Sequence, residues 1–163
     1  MAVSELIGAA VGVILLVVVA YVVVGSTLFA AETMANTQKD LTLLQETRLR
    51  TAFVITDQVN KTDSSSYIIY ANITNTGTEI ISDFKHMDVI VYDKQDNDYK
   101  ICNYDPVDIS PGHWQFIPPA TEFIHPYELD PGEKYQIQIY SDGQVPRWFQ
   151  LTTANGVYAS GFL

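Results

Sequence analysis

Hydrophobic and polar positions follow two different patterns along the chain. From Leu6 to Val24, the run LIGAAVGVILLVVVAYVVV holds 19 consecutive residues without a charged or strongly polar side chain. About 20 apolar residues cross the ~30 Å hydrocarbon core of a bilayer as a helix, and only a helix satisfies its own backbone there. We predict a retained membrane anchor rather than a cleaved signal peptide, because the start MAVSE is acidic and the apolar run is too long.

The apolar run leads into a segment with helical spacing. Residues 28–49 contain no Pro or Gly, and a weak apolar stripe recurs there at three- and four-residue intervals. The stripe consists of Met34, Thr37, Leu41, Leu44 and Arg48. Two of these five members are polar, so the stripe does not by itself specify a coiled coil. We predict that residues 1–50 form one helix that crosses the membrane and continues as a stalk.

After Leu49 the pattern changes to an alternation with a period of two, which is typical of half-buried strands. Tyr135, Ile137 and Ile139, for example, alternate with glutamines. The candidate strands are residues 51–59, 66–74, 86–93, 98–103, 121–127, 133–140, 146–152 and 156–162. Short strands with frequent Gly and Pro turn signals predict an α+β protein. Its N-terminal helix, residues 1–50, is followed by an antiparallel, immunoglobulin-like β-sandwich domain, residues 51–163.

Composition and charge separate the same two parts. The chain is 47% hydrophobic, yet its net charge is −10. Residues 51–163 carry 15 acids against six bases, which places −9 of that charge in the predicted β domain. Phosphate binding needs clustered Lys and Arg, so we exclude a nucleic-acid partner. The single cysteine, Cys102, excludes an intrachain disulfide and is expected to be a small buried hydrophobe.

The sequence lacks the patterns that carry catalysis or bind metals. His86, His113 and His125 are scattered, without HExxH spacing and without a cysteine partner for zinc. Residues 93–98 are acidic but lack the Gly and the distal Glu of a calcium loop, so we predict a hairpin turn there. No GxSxG, P-loop or dinucleotide motif occurs. We predict no catalytic residue, no metal and no cofactor, and a membrane-tethered enzyme is the least favoured hypothesis.

Small residues mark one face of the predicted membrane helix. Ser4, Gly8 and Gly12 recur at four-residue spacing, and the GxxxG pattern lets two helices approach closely. Glycine is also common in membrane helices that have no such contact. Glu5, at the edge of the span, is either hydrated or paired with the amino terminus of a neighbouring subunit. These residues predict a homo- or hetero-oligomer held through the N-terminal helix.

Two features give opposite indications about the side of the membrane. N-glycosylation sequons begin at Asn60, on a predicted loop, and at Asn72, on the outer face of a predicted strand. They favour a β domain outside the cell. Lys39, Arg48 and Arg50 all follow the span and no base precedes it, so the positive-inside rule favours the cytoplasm. We place the β domain outside and keep the cytoplasmic orientation as an alternative.

Three aromatic residues, Trp114, Phe116 and Phe123, flank a proline-rich loop. They either form an exposed contact patch or fold back over the sandwich. We favour the second interpretation.

An N-terminal membrane helix that leads into a stalk and a small β-sandwich resembles the architecture of type IV pilin-like proteins. The start Met-Ala-Val-Ser4-Glu5-Leu-Ile-Gly8 and the aliphatic run after it resemble archaeal members. Glu5 falls where mature pilins carry their glutamate. No basic leader ending in Lys/Arg-Gly precedes the run, so we expect no prepilin peptidase site unless the sequence is already mature.

Within that superfamily, the chain is similar to the archaellum accessory proteins F and G. The similarity rests on the segments ETRLRTAF (46–53), ITNTG (73–77), MDVIVY (87–92), DPGE (130–133) and NGV (155–157). It implies a single-pass anchor in the archaeal cell membrane and a stator that holds the archaellum motor against the S-layer. The implied partners are the membrane and either S-layer protein or a partner stator subunit. The alternative is a filament subunit, an archaellin or archaeal pilin, whose helix forms the filament core.

Overall fold

A computed structural model describes residues 2–63, 66–94, 97–107, 110–119, 124–141 and 145–163, with only the backbone of Ala2 and Asp63. Within these ranges the elements are α1 (Ala2–Arg50), β1 (Phe53–Asp63), β2 (Ser66–Asn75), β3 (Asp88–Asp93), β4 (Asp98–Tyr104), β5 (His113–Ile117), β6 (Lys134–Ser141), β7 (Pro146–Thr152) and β8 (Tyr158–Phe162). The residues group into two compact units, one ending at Leu44 and the other beginning at Gln45. The predicted α+β class is confirmed, whereas the domain boundary after residue 50 stays a prediction.

The first unit consists of α1 residues whose described side chains are all exposed. Its apolar part has a mean hydropathy of 3.0, none of it is buried, and by length and composition it fits a membrane span. Hydroxyl groups farther along α1 donate to backbone carbonyls one turn earlier, as Ser26 does to Val23 and Thr33 does to Phe29. These bonds satisfy the hydroxyls within the helix itself. The unit therefore has the character of an anchor whose apolar surface needs lipid or another helix.

The second unit is a β-sandwich. Its strands follow the order β1-β2-β6-β5-β4-β3-β7-β8. We call β1-β2-β6-β5 the first sheet and β4-β3-β7-β8 the second sheet. All the named pairs are antiparallel except β4 and β5, which pair in parallel over two residue pairs and join the two sheets. At the opposite edge the Gln58 amide donates to the Phe162 carbonyl (3.3 Å), so β1 and β8 lie close together.

The core lies between the inner faces of the two sheets. In β2 the burial alternates as predicted, with Ile69, Ala71 and Ile73 inward and Tyr70 and Asn72 outward. The inner face of the second sheet supplies the other half of one continuous cluster, which includes Val89, Val91, Cys102, Phe149 and Leu151. Cys102 is buried, which confirms its predicted role as a small hydrophobe. In each sheet, apolar side chains that alternate with polar ones point inward, and the two apolar faces pack together as the core of the sandwich.

The strand predictions contain one clear error. A strand was predicted at 121–127, but residues 124–127 form bends and turns, and residues 120–123 lie outside the described ranges. The strand in this part of the chain is β5, whose Trp114 and Phe116 point into the core. Prolines on both sides of this short strand made it look like a loop. Trp114 and Phe116 are thus core residues of a strand rather than loop residues that fold back over the sandwich, and they do not form an exposed patch. Phe123 lies outside the described residues.

Candidate interaction surfaces

The predicted contact residues of α1 lie together on one open face. Ser4, Glu5, Gly8 and Gly12 fall within an arc of ~100° because consecutive helical residues are ~100° apart. All four are exposed, and a Cβ added at Gly8 or Gly12 would meet no atom within 4 Å. Glu5 lies in the first turn of α1, where a carboxylate also interacts favourably with the helix dipole. The face is therefore open to close approach by a second helix, and its role stays a prediction.

Four of the five short segments that carried the resemblance, all except MDVIVY (87–92), converge where α1 ends. Asn75 is fully buried, and its amide donates to the carbonyls of Glu79 (2.8 Å) and Leu129 (2.9 Å). Its side-chain oxygen accepts from the backbone N–H of Gly77 (3.0 Å). The ITNTG segment is thus held by a buried amide whose donors and acceptor are all used, which is the arrangement that makes a buried polar group stabilising.

Gly77 brings this turn directly onto the last residues of α1. The N–H groups of Thr78 and Glu79 donate to the carbonyl of Arg50 at 2.9 and 3.3 Å, and the N–H of Gly77 donates to Ala52 at 2.9 Å. These bonds satisfy carbonyls that the end of a helix leaves without partners. A Cβ at Gly77 would overlap the Arg50 carbonyl oxygen, so only glycine permits this approach.

Two further turns complete this junction. In the DPGE turn, the N–H of Asp130 donates to the Glu133 carboxylate (2.9 Å), and the N–H of Gly132 donates to the Asn75 carbonyl (2.8 Å). In the NGV turn, the Asn155 amide donates to the Thr51 hydroxyl (2.6 Å), just after α1 ends. Segments far apart in sequence therefore form one hydrogen-bonded support for the end of the helix. We call these turns and residues 46–52 the helix junction.

The surface of the helix junction carries charged and hydroxyl side chains. Arg50 lies 3.5 Å from Glu46 and 3.6 Å from Glu79, and these exposed ion pairs contribute little individually. A cavity of about 180 Å³ beside it is lined by Thr and Ser hydroxyls, Glu79, Asp83 and the apolar side chains of Ile80, Ile81 and Met87.

His125 and Asp130 form a pH-sensitive contact beside the DPGE turn. Nδ1 of His125 lies 3.0 Å from both carboxylate oxygens of Asp130. That hydrogen bond, followed by the charges of Asp130, Glu128 and Glu133, raises the pKa of His125 above its ordinary value. The contact is therefore strongest when the imidazole is protonated.

We expect His125→Gln to remove a pH-dependent part of the stability. Because the folded-state pKa is raised, the contribution is fully present below the unfolded-state pKa of about 6.5 and is lost as pH rises through the folded-state pKa. Thermal midpoints of both chains at pH 5 to 9 test this. The gap between wild type and variant should be largest at pH 5 and should close at high pH. A gap that is constant across the range would contradict the prediction.

The two sequons lie in different surroundings. Asn60 is in β1 and not on a loop as predicted, because β1 extends to Asp63. Its side-chain oxygen is buried and accepts no hydrogen bond from the described residues. Asn72 lies on the outer face of β2, as predicted, and its amide donates to Asp57 (2.9 Å). This hydrogen bond is the largest cause of a lowered pKa for Asp57, and the hydrogen bond and positive charge of Lys134 lower it further. Glycosylation at either site stays a prediction.

The titratable residues singled out earlier form separate pairs. His86 contacts Asp83 and His113 contacts Ser110, so with His125 bound to Asp130 the three histidines lie in three places. In the described part of the chain, no group of three metal-binding side chains occurs. Asp93 and Asp98 pair where β3 ends and the antiparallel strand β4 begins, which confirms the predicted hairpin.

The outer face of the second sheet carries a feature that the sequence reasoning missed. The register aligns Tyr99, Tyr92, Trp148 and Phe162 in one row across all four strands. A second row contains Ile101, Ile90, Gln150 and Ser160. The exposed fractions are 64% for Tyr99, 67% for Ile101 and 75% for Phe162. We call these two rows the aromatic face. The sequence shows only the alternation within each strand. The register between the strands, which places these side chains side by side, is visible only in the structure.

Comparison with known proteins gives the same architecture. A family model described as archaeal-type flagellin matches residues 2–160. The archaellum periplasmic stator protein FlaG from Sulfolobus acidocaldarius has 19% identity and a TM-score of 0.51, with 69% of this chain and 99% of that chain covered. The FlaF and FlaG complex from the same organism gives 22% identity and a TM-score of 0.48, with 68% and 87% covered. No curated protein matches significantly.

The family model covers most of the chain, from the start of α1 to within β8. The structural similarity to FlaG covers 99% of the FlaG chain, and at 19% identity it shows a shared fold. The apolar helix and the β-sandwich are both part of what is matched, since the family model begins at residue 2. The chain therefore belongs to the archaeal-type flagellin family and is an archaellum-related structural protein, not an enzyme.

Proposed function

We propose that the chain is a membrane-anchored structural subunit of the archaellum motor. Its helix holds it in the archaeal cell membrane as a single-pass anchor, and its β-sandwich lies outside the cell. There the sandwich anchors the stator to S-layer protein or to a partner stator subunit. The shared fold of FlaG, an archaellum periplasmic stator protein, supports the role of the sandwich.

The helix junction is the observation that carries this proposal. A stator has to transmit force between a membrane anchor and an external support without letting the two parts turn freely. At the end of α1, the backbone carbonyl of Arg50 accepts from Thr78 and Glu79, and Thr51 is held by Asn155. Asn75, which is fully buried, locks the supporting turn. Residues 45–50 of α1, which belong to the second unit, are thus held to the β domain by backbone bonds.

The remaining roles follow the same proposal. The face formed by Ser4, Gly8 and Gly12 packs α1 against a second helix, and Glu5 contacts the neighbouring subunit. Residues 1–50 serve as anchor and stalk, and residues 51–163 serve as the extracytoplasmic domain. Asn60 and Asn72 are the glycosylation sites, of which Asn72 is the more accessible because it lies on an outer sheet face.

The test uses archaeal cells that lack this gene and carry a tagged copy of the full chain. We expect the chain in the membrane fraction, its β domain open to protease in intact cells, and a cross-link to S-layer protein or a stator subunit. Cells without it should assemble filaments but not swim. Gly8→Leu with Gly12→Leu should weaken motility. Gly25→Leu is the matched control, since Gly25 lies ~100° around the helix from Gly8 and also has open space around it.

Two outcomes would replace this proposal. If the chain were the main component of sheared filaments, and if cells without the gene lacked filaments, the chain would be a filament subunit, an archaellin or archaeal pilin. A protease-protected β domain would place it in the cytoplasm, as the Lys and Arg distribution of the flanking residues favours.

A further inference from the structure

We propose that a cavity lined by five aromatic rings binds the arginine side chain of a protein partner. The cavity has a volume of about 120 Å³. Its rings are those of Phe84, Tyr104, Phe116, Tyr127 and Tyr135. We call it the ring cavity. The proposed stator role does not use this cavity, and the inference does not rest on that role.

Elements that are distant in sequence build the ring cavity. Phe84 lies in a 3₁₀-helix (Phe84–His86), Phe116 lies in β5 and Tyr135 lies in β6, and all three are buried. The ring planes of Phe84 and Phe116 are inclined by 43°, and those of Phe84 and Tyr104 by 55°. The planes of Phe116 and Tyr135 are inclined by 71°. Rings at such angles enclose a concave space rather than form a flat platform.

The size of the ring cavity fits a single side chain. Sites for drug-sized ligands measure about 300–1,000 Å³, so a volume of about 120 Å³ is too small for such a molecule. Protein interfaces, in contrast, are often anchored by one arginine or aromatic side chain that fills a pocket on the partner. The ring cavity therefore has the dimensions of a pocket for one anchor residue.

The electrostatic character of the ring cavity favours a cation. No charged side chain lines it in the part of the chain that the structure describes, so its negative potential comes from the faces of the rings. Burial and, to a smaller extent, the negative charge of Asp105 raise the pKa of Tyr104, so a carboxylate acts on the cavity from this side. Residues 51–163 as a whole carry a net charge of −9, which attracts basic partners.

Arginine suits this lining better than lysine does. The guanidinium group is more weakly hydrated than an ammonium group, and it stacks on aromatic faces. It therefore loses less hydration free energy when it enters a cavity whose lining has no carboxylate. Cation–π contacts in proteins also involve arginine more often than lysine.

The backbone of Tyr127 supports a binding role for the cavity. Its φ is +69°, in the left-handed region that a bulky side chain rarely adopts. The side chain is 75% exposed although it lines the cavity, so it stands at the entrance. Strained conformations of this kind persist only where the surrounding structure enforces them, and they cluster at ligand sites. The chain thus holds an aromatic ring at the point where a side chain of the partner would enter.

Titration of the full chain in detergent micelles with N-acetyl-arginine amide tests the site. Tyrosine rings labelled with ¹³C report binding by NMR. We expect saturable shifts of the Tyr104 and Tyr127 signals and none of the signal of Tyr158, which is 65% exposed on β8. N-acetyl-citrulline amide, which has nearly the same shape but no charge, should bind about fivefold more weakly.

Substitutions at the entrance separate a cation site from an apolar one. Tyr127→Leu keeps an apolar side chain but removes the ring, so it should weaken binding of the arginine probe about threefold, whereas Tyr127→Phe should retain it. Tyr158→Leu is the matched control and should leave the affinity unchanged. The signals of the other tyrosines check that each variant folds. Equal binding of the two probes, absence of saturable shifts at Tyr104 and Tyr127, or wild-type affinity in Tyr127→Leu would each overturn the inference.

Discussion

Replacing Asn75 with Leu is expected to lower the free energy of unfolding of the β domain by about 3 kcal/mol, at about 1 kcal/mol for each of three lost hydrogen bonds. The side chain is fully buried, and it joins Glu79, Leu129 and Gly77. Leu fills a similar volume but offers neither donors nor an acceptor. The Glu79 carbonyl then loses its amide donor inside the protein. Because domains are stable by only about 5–15 kcal/mol, this is a large fraction of the total.

Urea unfolding of the full chain in micelles, followed by tryptophan fluorescence, measures this effect. Both tryptophans lie in the β domain, and Trp114 is fully buried, so the signal reports that domain rather than α1. Asn103→Ala is the control, since Asn103 is exposed on β4 and should change stability by less than about 0.5 kcal/mol. The three hydrogen bonds predict a loss of about 3 kcal/mol. A free energy of unfolding for Asn75→Leu within about 1 kcal/mol of the wild-type value would therefore refute the role of the amide.

Gly77→Ala is expected to destabilise the helix junction by about 3 kcal/mol, the upper part of the usual range for overpacking. The added Cβ would overlap the carbonyl oxygen of Arg50 and lie 3.2 Å from the carbonyl carbon of Thr51. These are backbone atoms, so no side-chain rotation relieves the contact. The turn has to move away from α1, which stretches the bonds from Thr78 and Glu79 to Arg50.

Hydrogen exchange localises the effect of this substitution. The amides of residues 76–79 should exchange faster in Gly77→Ala, while those of β6 and β7 should keep their protection relative to global unfolding. Gly156→Ala serves as the comparison because Gly156 has a φ of +81° and open space, so it tests backbone strain alone. That strain costs about 1–2 kcal/mol. A smaller loss of stability in Gly77→Ala than in Gly156→Ala would show that the approach to α1 is loose.

The candidate interaction surfaces could be predicted only in part from the sequence. The open face of α1 follows directly from four-residue spacing, because a helix places such residues together whatever the rest of the chain does. Asn75 appeared as part of a turn segment, but its partner Leu129 lies 54 residues away in sequence. The aromatic face is a similar case, since its members come from four strands and no window of sequence contains them together.

Local sequence determined α1 and the strands of this protein other than β5. Nineteen apolar residues specify a helix, and alternation specifies which side of β2 is buried, since both depend on near neighbours alone. Strand order and register were decided only by the tertiary structure, because they depend on which distant strands pair. The same pairing made β5 a strand through its bonds to β4 and β6, although prolines flank it. It also gathered the turns around Arg50, whose backbone carbonyl accepts hydrogen bonds from residues 78 and 79.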